Sequence, residues 1–458
     1  MAYQDPQDRS TAGTTPATGW SMDHQWLPFT PNRHFREVPR VFVKADGMHF
    51  TTHDGRQVLD GISSLWCVGA GHNRREINEA IKQQPDTLDY ATAFNASNDK
   101  AFMAADKIAA MAPGDLNKVL FCNSGSEAAD TAMKVALAYH RARGQGHRNV
   151  FIGRERGYHG VGFGGMSIGG IPANRKVYGT ALLPRVDHMR FIHDPLNHAY
   201  IHNTEPEWQE DPLLELENRI LPLHDPSNVA AIIVEPVAGS AGWYIGPKGY
   251  LKRLREICDK HGILLVFDEV ITGFGRMGKN FAADYFGVVP DMLNFAKCVT
   301  NGVQPLGGVI CRDHIYETMV NPDAPNHVAD LFHGYTYSGH PVSCAAAVAT
   351  LQLFEQEKLF DRAGQMGKVL GDAMHSQLKG LPHVTGIRSL GLAAAVELAP
   401  AAGAPGKRAY DAFLDCFAHG VLVRSAGDNL VFAPPYIVTE SQIDQMVSTL
   451  AAAIKRLA

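Results

Sequence analysis

The pattern of hydrophobic and polar positions changes character twice along the 458-residue chain. A polar stretch rich in Thr, Gly, Ala and Pro runs to about Gly19, without an apolar signal core or basic leader, and reads as a mobile arm. Past it, Val41-Phe42-Val43, Met48-His49-Phe50 and Gln57-Val58-Leu59-Asp60 predict short strands, with a turn at Asp54-Gly55. From about residue 76 to 337, short apolar runs alternate with helical patterns: Lys118 to Phe121, Asn149 to Ile152, Val229 to Glu235, Ile263 to Asp268, Met292 to Ala296 and Gly307 to Ile310. Between two of these runs Tyr250, Leu251, Leu254, Ile257 and Cys258 recur at helical spacing, and Gly262 is placed to end that helix. Such alternation predicts an α/β fold, a mainly parallel sheet with helices on both faces. Near the C-terminus the pattern turns strand-like again, in Gly420 to Arg424 and Asn429 to Phe432, before a last helix. There Thr439 and Gln442 fit a capping box ahead of Ile443, Met446, Val447 and Leu450 on one face. Internal repeats and coiled-coil heptads are not found.

Composition narrows the class. A hydrophobic content of 45% with 19% charged residues is that of a globular protein, and the length predicts about two domains. The net charge of -5, without Lys/Arg blocks, argues against nucleic acid and anionic membrane as partners and leaves small molecules. Cys67, Cys122, Cys258, Cys298, Cys311, Cys344 and Cys416 are scattered, with no CxxC pair and no zinc spacing. They read as reduced, mostly buried thiols of a cytosolic protein. No window approaches the roughly 20 apolar residues of a membrane span.

In an open parallel sheet, ligands gather outside the carboxyl ends of the strands, and the candidate residues sit there. Asp268 closes the run Ile263 to Asp268, and Lys297 follows in the next loop. A carboxylate and an amine so placed can hold the two poles of pyridoxal phosphate, the carboxylate keeping the ring nitrogen protonated and the lysine bonding the aldehyde. Read singly, Asp268 is equally a structural strand-end acid, and a lone lysine is usually a solvated surface group. The apolar neighbours Met292, Leu293, Phe295, Ala296 and Val299 would instead desolvate Lys297 and lower its pKa. Asn123-Ser124-Gly125-Ser126-Glu127 leads into a helix carrying Ala132, Val135, Ala136 and Tyr139. Its backbone N–H groups, two hydroxyls and glycine could cradle a phosphate, or Ser124 and Glu127 could form only a capping box. It is neither a Walker A motif nor GxGxxG and selects no nucleotide. Tyr158, in Tyr158-His159-Gly160, could stack on a planar cofactor or belong to the core. Val270 points to the same side as Asp268 if the strand continues. Leu65, Trp66 and Phe94 are candidate apolar walls, and each could equally be core.

Taken together, Asn123-Ser124-Gly125-Ser126-Glu127, Gly157-Tyr158-His159-Gly160, Val234-Glu235-Pro236, Phe267 to Arg276, Lys297 and His333 to Pro341 resemble the motif series of class III pyridoxal-phosphate aminotransferases. Within that class the chain is most similar to the ω-amino acid:pyruvate (β-alanine:pyruvate) branch, through Asp23 to Thr30, Glu235 to Gly242 and Val423 to Asp428. The resemblance covers about Trp26 to the C-terminal helix. It implies fold type I: a large domain with a mostly parallel seven-stranded sheet over residues 76–337, and a small α+β domain from both chain ends, 1–75 (which includes the arm) and 338–458. It implies Lys297 as the Schiff-base lysine and Asp268 as partner of the ring nitrogen. Ser124, Gly125 and Ser126 become phosphate ligands, Tyr158 and Val270 neighbours of the ring, Glu235 a further cofactor-binding residue, and Thr336 a phosphate ligand donated by the other subunit. Arg424 becomes the arginine that swings in for carboxylates and away for apolar groups; without the resemblance it reads as a surface charge. Two positions depart from the class: Ala238, where many members have glutamine, a loss that the named branch shares, and Met277, where threonine is common. The implied enzyme is a cytoplasmic homodimer or tetramer, with active sites shared across the interface. It moves an amino group from an ω-amino acid or simple amine to pyruvate by ping-pong kinetics. The alternatives are a class III relative with another donor such as taurine or GABA, an aminomutase, racemase or decarboxylase, or a noncatalytic cofactor-binding homologue.

Overall fold

The computed structural model describes residues 20–320 and 323–457, so the arm expected up to Gly19 lies outside the described residues. Seven strands form the central sheet: β1 Leu116–Cys122, β2 Val150–Arg154, β3 Val186–Met189, β4 Val229–Val234, β5 Leu264–Asp268, β6 Met292–Phe295 and β7 Gly307–Arg312. Their order across the sheet is β1-β7-β6-β5-β4-β2-β3. Pairings from β6 through β3 are parallel, and β7 runs antiparallel to both of its neighbours. β2, β4, β5 and β6 are buried throughout, as expected of strands covered on both faces.

Strand alternation divides the apolar residues between two cores. Leu264 and Val266 of β5 pack with Ala132 and Val135 of the helix Gly125–Ala142. Leu265 and Phe267 belong with Leu254 and Ile257 of the helix Tyr250–His261, which ends at Gly262 with φ +62°. Asp268 continues the parity of Leu264 and Val266, which puts it on the side of the helix Gly125–Ala142. That parity decides where the carboxylate can act.

Of two smaller sheets, the first draws on both ends of the chain, and the second joins C-terminal strands to Tyr200–His202 from within the 76–337 stretch. One has Phe42–Asp46, His49–Thr52, Gln57–Asp60 and Val421–Leu422; the other has Arg424–Ala426, Asn429–Phe432, Ala394–Leu398, Val384–Ser389 and Tyr200–His202. The single strand expected over Gly420 to Arg424 is therefore two. Leu422 pairs with Asp60 in one sheet and Arg424 with Val431 in the other, with buried Val423 at the crossing. The final helix is capped as its sequence predicts, Gln442 N–H donating to Thr439 Oγ1 at 3.3 Å and Thr439 N–H to Gln442 Oε1 at 3.0 Å. No helix among the described residues is long and apolar enough to cross a membrane.

Arg276, fully buried, joins the loop after β5 to segments from both chain ends. Its guanidinium donates to the Leu392 carbonyl at 3.0 Å, the Pro434 carbonyl at 2.7 Å and Ser63 Oγ at 3.0 Å, and it lies 4.8 Å from the Tyr436 ring centroid. Arg276→Met keeps most of the volume and strands those acceptors. Urea unfolding should show a loss of about 3 kcal/mol, and a loss below about 0.5 kcal/mol would mean that water replaces the donor.

Candidate active site

A cavity of about 1160 Å³ opens at the carboxyl end of the central sheet, and Ser124, Tyr158, Glu235, Asp268, Lys297 and Arg424 all line it. Leu65 and Trp66 form part of its wall, Leu65 half exposed and Trp66 buried, its ring stacked on Trp243 at 5.5 Å between centroids.

Asp268 is held by two loops. Its Oδ2 accepts a hydrogen bond from His159 Nδ1 at 2.8 Å, and its Oδ1 accepts the Val270 N–H at 3.2 Å. A carboxylate can only accept, so the His159 proton sits on Nδ1, and Nε2 is buried without a hydrogen-bond partner. β5 ends at Asp268, so Val270 reaches the cavity through this turn and not by strand alternation. Glu235, at the end of β4, accepts the N–H groups of Tyr158 at 2.9 Å and Gly239 at 3.0 Å. Burial raises the Glu235 pKa; His159 opposes the rise and the Asp268 charge adds to it.

Both readings of the Ser124 segment describe it in part. Ser124 caps the helix Gly125–Ala142 by accepting the Glu127 N–H at 3.2 Å. The Glu127 carboxylate folds back to the Asn123 N–H, at 2.7 Å, and not to the cap residue, so the box is incomplete. The first N–H groups of the helix, at Gly125 and Ser126, have no carbonyl partner within it and face the cavity wall, the arrangement that binds phosphate. Gly125 is required there, since a Cβ would stand 2.9 Å from the Val270 side chain. Gly160, at φ +96°, is likewise pressed against Ser126, whose Oγ accepts the Val161 N–H at 3.1 Å.

Lys297 follows β6 in the left-handed region, φ +51°, and starts a short turn over Lys297–Thr300. That backbone is strained for a side chain and is held by the buried residues on either side. The ammonium opens on the cavity, yet surrounding protein atoms desolvate it and lower its pKa. Cys67 and Asp268 oppose that shift and Arg424 reinforces it. Arg424, at the start of its strand, is half buried; its Nε lacks a partner, and burial lowers its pKa while Tyr158 opposes.

Cradle, acid, apolar-flanked lysine and ring-sized walls form a donor set that fits pyridoxal phosphate. Two expected residues lie elsewhere. Thr336 is exposed and outside this cavity, its carbonyl accepting the Tyr90 hydroxyl at 2.9 Å. Phe94 is exposed close to Gly334 on that same surface. Ala238 is buried in a two-strand ribbon and does not line the cavity, where Ser240 and Ala241 do; Met277 packs in the core. Sequence reading assigned no role to His159, because its partner lies 109 positions away and no spacing reveals it.

Residues 31–454 match the family described as Aminotransferase class-III. The chain is 51% identical over 433 residues to an omega-aminotransferase of Caulobacter vibrioides, covering 94% of this chain and 96% of that one. It is 44% identical to a beta-alanine–pyruvate aminotransferase of Pseudomonas aeruginosa, covering 94% and 96%. Among solved structures, an amine transaminase from an uncultivated Pseudomonas species, in its pyridoxal-phosphate-bound form, superposes with a TM-score of 0.87 at 33% identity, over 96% of this chain and all of that one.

The lowered Lys297 pKa has a sign that stability can read. Between the folded-state value and the ordinary lysine value of about 10.4 the unfolded chain binds more protons, so stability supplied by this group rises with pH. In cofactor-free protein, the stability of wild type relative to Lys297→Met should therefore increase as pH is raised toward the ordinary lysine value of about 10.4, measured by urea unfolding. A difference that stays constant, or shrinks, contradicts the desolvated amine.

Proposed function

The chain belongs to the class III aminotransferases, enzymes that work with pyridoxal phosphate, and from that premise we propose that it transfers the amino group of a β-alanine-like ω-amino acid or simple amine to pyruvate, giving an aldehyde or ketone and L-alanine. The observation that carries this reading is Arg424, a guanidinium whose Nε is unpartnered and which opens on the same cavity as Lys297 and Asp268. A planar fork so placed suits the carboxylate of pyruvate and of an ω-amino acid. The identity to relatives described as omega- and beta-alanine–pyruvate aminotransferases supports the same substrates.

Bound pyridoxal phosphate supplies an aldehyde that bonds amines and a ring that accepts electrons. In this reading Ser124, Gly125 and Ser126 hold its phosphate, Tyr158 and Val270 flank its ring, and Glu235 fixes the Tyr158 loop. Asp268 keeps a proton on the ring nitrogen, and His159 orients the carboxylate that does so. Lys297 would be the residue that bonds the aldehyde, and its Nζ, when neutral and free, would be the base that takes a proton from the substrate carbon bearing nitrogen and returns it. Desolvation lowers the Lys297 pKa and so moves the amine toward that neutral form. The donor product leaves before the acceptor binds, which gives ping-pong kinetics.

Thr336 and Phe94 serve a second copy's cavity in this reading, which makes the enzyme a homodimer or tetramer with shared sites. Their exposure outside the chain's own cavity supports this, as do exposed Trp26, Phe29 and Phe332. Residues 76–337 form the cofactor-holding domain, and 1–75 with 338–458 the smaller one. The free cysteines suit a reducing compartment such as the cytoplasm.

A panel of amino donors against pyruvate and 2-oxoglutarate tests the activity. In that panel Arg424→Ala should slow the half-reactions with β-alanine and pyruvate about 10-fold or more, the loss expected for a charge-assisted bidentate contact. The half-reaction with 1-phenylethylamine, which has no carboxylate, should change far less; equal losses would assign Arg424 to the fold or the interface. Borohydride treatment of the yellow holoenzyme should fix the cofactor to the peptide containing Lys297, and a label on another lysine refutes that assignment.

A further inference from the structure

The cavity wall carries a second arginine that the chemistry above does not use. Arg156 follows β2, lines the same cavity as Lys297 and Arg424, and is exposed. Its backbone is in the left-handed region, φ +60°, uncommon for such a residue, and its N–H is fixed by the Gly170 carbonyl at 3.0 Å. The guanidinium carbon lies 4.5 Å from the Phe191 ring centroid and 6.0 Å from that of Tyr244. Stacking of this kind restrains the plane of the fork and leaves its N–H edge free for a carboxylate.

Nearby acids do not neutralise it. The adjacent Glu155 carboxylate accepts the Phe191 N–H at 3.1 Å. Glu397 pairs with Arg388 at 2.7 Å and accepts the Tyr244 hydroxyl at 3.2 Å, and Asp428 accepts the Gly406 N–H at 2.7 Å. Among the described residues no ion pair forms to Arg156, Arg424 or Lys297. The two arginines act on different parts of the cavity. The Arg424 charge bears on Lys297 and Tyr158, whereas the Arg156 charge bears on Tyr244 and His193. Arg424 is half buried and its charge reaches the lysine, whereas Arg156 is exposed.

We infer that Arg156 is an outer carboxylate-binding residue, which takes the distal carboxylate of longer ω-amino acids while Arg424 takes that of short ones. The inference rests on the ω-amino acid reading above and adds to it a substrate class, straight-chain donors with the amine and carboxylate far apart. An extended donor whose amine is at Lys297 could place its carboxylate on this exposed guanidinium, which is stacked and unpaired and replaces the water that the carboxylate loses.

The test uses the holoenzyme with β-alanine, 4-aminobutyrate and 6-aminohexanoate as donors, and 1-aminohexane as the chain without a carboxylate. Arg156→Gln should raise KM for 6-aminohexanoate about 10-fold, the size of one charge-assisted contact, with little change in kcat. KM for β-alanine and for 1-aminohexane should stay within about twofold, and Arg156→Lys should recover part of the loss. Calorimetric binding of hexanoate and propionate, which have no amine to transfer, reads the same site without turnover. Hexanoate should weaken in Arg156→Gln and propionate should not. If no ω-amino acid is turned over, the proposed function fails, and hexanoate binding still decides the role of Arg156. Equal effects on all donors, no effect on 6-aminohexanoate, or a wild type that neither turns over 6-aminohexanoate nor binds hexanoate would each overturn the inference.

Discussion

The hydrogen bond from His159 Nδ1 to Asp268, 2.8 Å long and buried, is the contact from which the rest of the site can be traced. It ties the loop after β2 to the end of β5, and two paths lead away from it. Through Asp268 Oδ1 the carboxylate fixes Val270, which packs against Gly125 at the start of the helix. Through His159 the other path runs to Gly160 and Val161, which close on Ser126 one residue farther into the same helix. His159, Asp268, Val270, Gly125, Ser126 and Gly160 thus form one closed circuit of contacts. A buried carboxylate without such partners would take up a proton, since burial alone raises its pKa.

Lys297 obeys the opposite constraint. Its usefulness depends on having no close anion, because an ion pair would hold the ammonium charged and restore its usual pKa. The structure meets this by placing the acids of the cavity in other hydrogen bonds: Asp268 with His159, Glu235 with two backbone N–H groups. Their longer-range fields still oppose the shift, and desolvation outweighs them. The left-handed backbone at Lys297 turns the chain sharply out of β6, so that a residue just past a buried strand opens on the cavity.

Legibility in the sequence followed burial. β5 and β4 are continuous apolar runs because both faces are covered, and the end of β5, Asp268, could be read as a ligand-side position, whereas Glu235 after β4 was singled out only through the resemblance. β3, Val-Asp-His-Met, is an edge strand, mostly half buried, and lacks such a run, so the periodicity passed over it. The split at Val423 was equally hidden, since a chain that leaves one sheet for another keeps the same extended pattern. Within the site, the Ser124 segment was legible as either cap or cradle because a helix start serves both uses. The His159 contact and the placing of Val270 by a turn depend on three-dimensional closure, which residue spacing does not encode. Thr336 was legible only through resemblance and Phe94 only as an apolar wall or core residue, and neither lines one chain's own cavity.

Charge balance around the cavity bears on which substrates it favours. Glu235, Asp268, Glu397 and Asp428 are each engaged by donors from the protein, while Lys297, Arg424 and Arg156 have no ion-pair partner among the described residues. Two guanidiniums are thus free to meet an anion inside the cavity, and a charge in a concave, partly dry cleft is screened less than on an open surface. Burial lowers the Arg424 pKa without bringing a guanidinium near neutrality, so its charge persists whether or not a carboxylate is present. Neutral amines must therefore enter beside an unsatisfied cation, and the apolar surface of Trp66 and Leu65 is what they have to lean on. An anionic donor would meet both those walls and the Arg424 guanidinium, so a carboxylate gives a donor a contact that a neutral chain of equal length lacks.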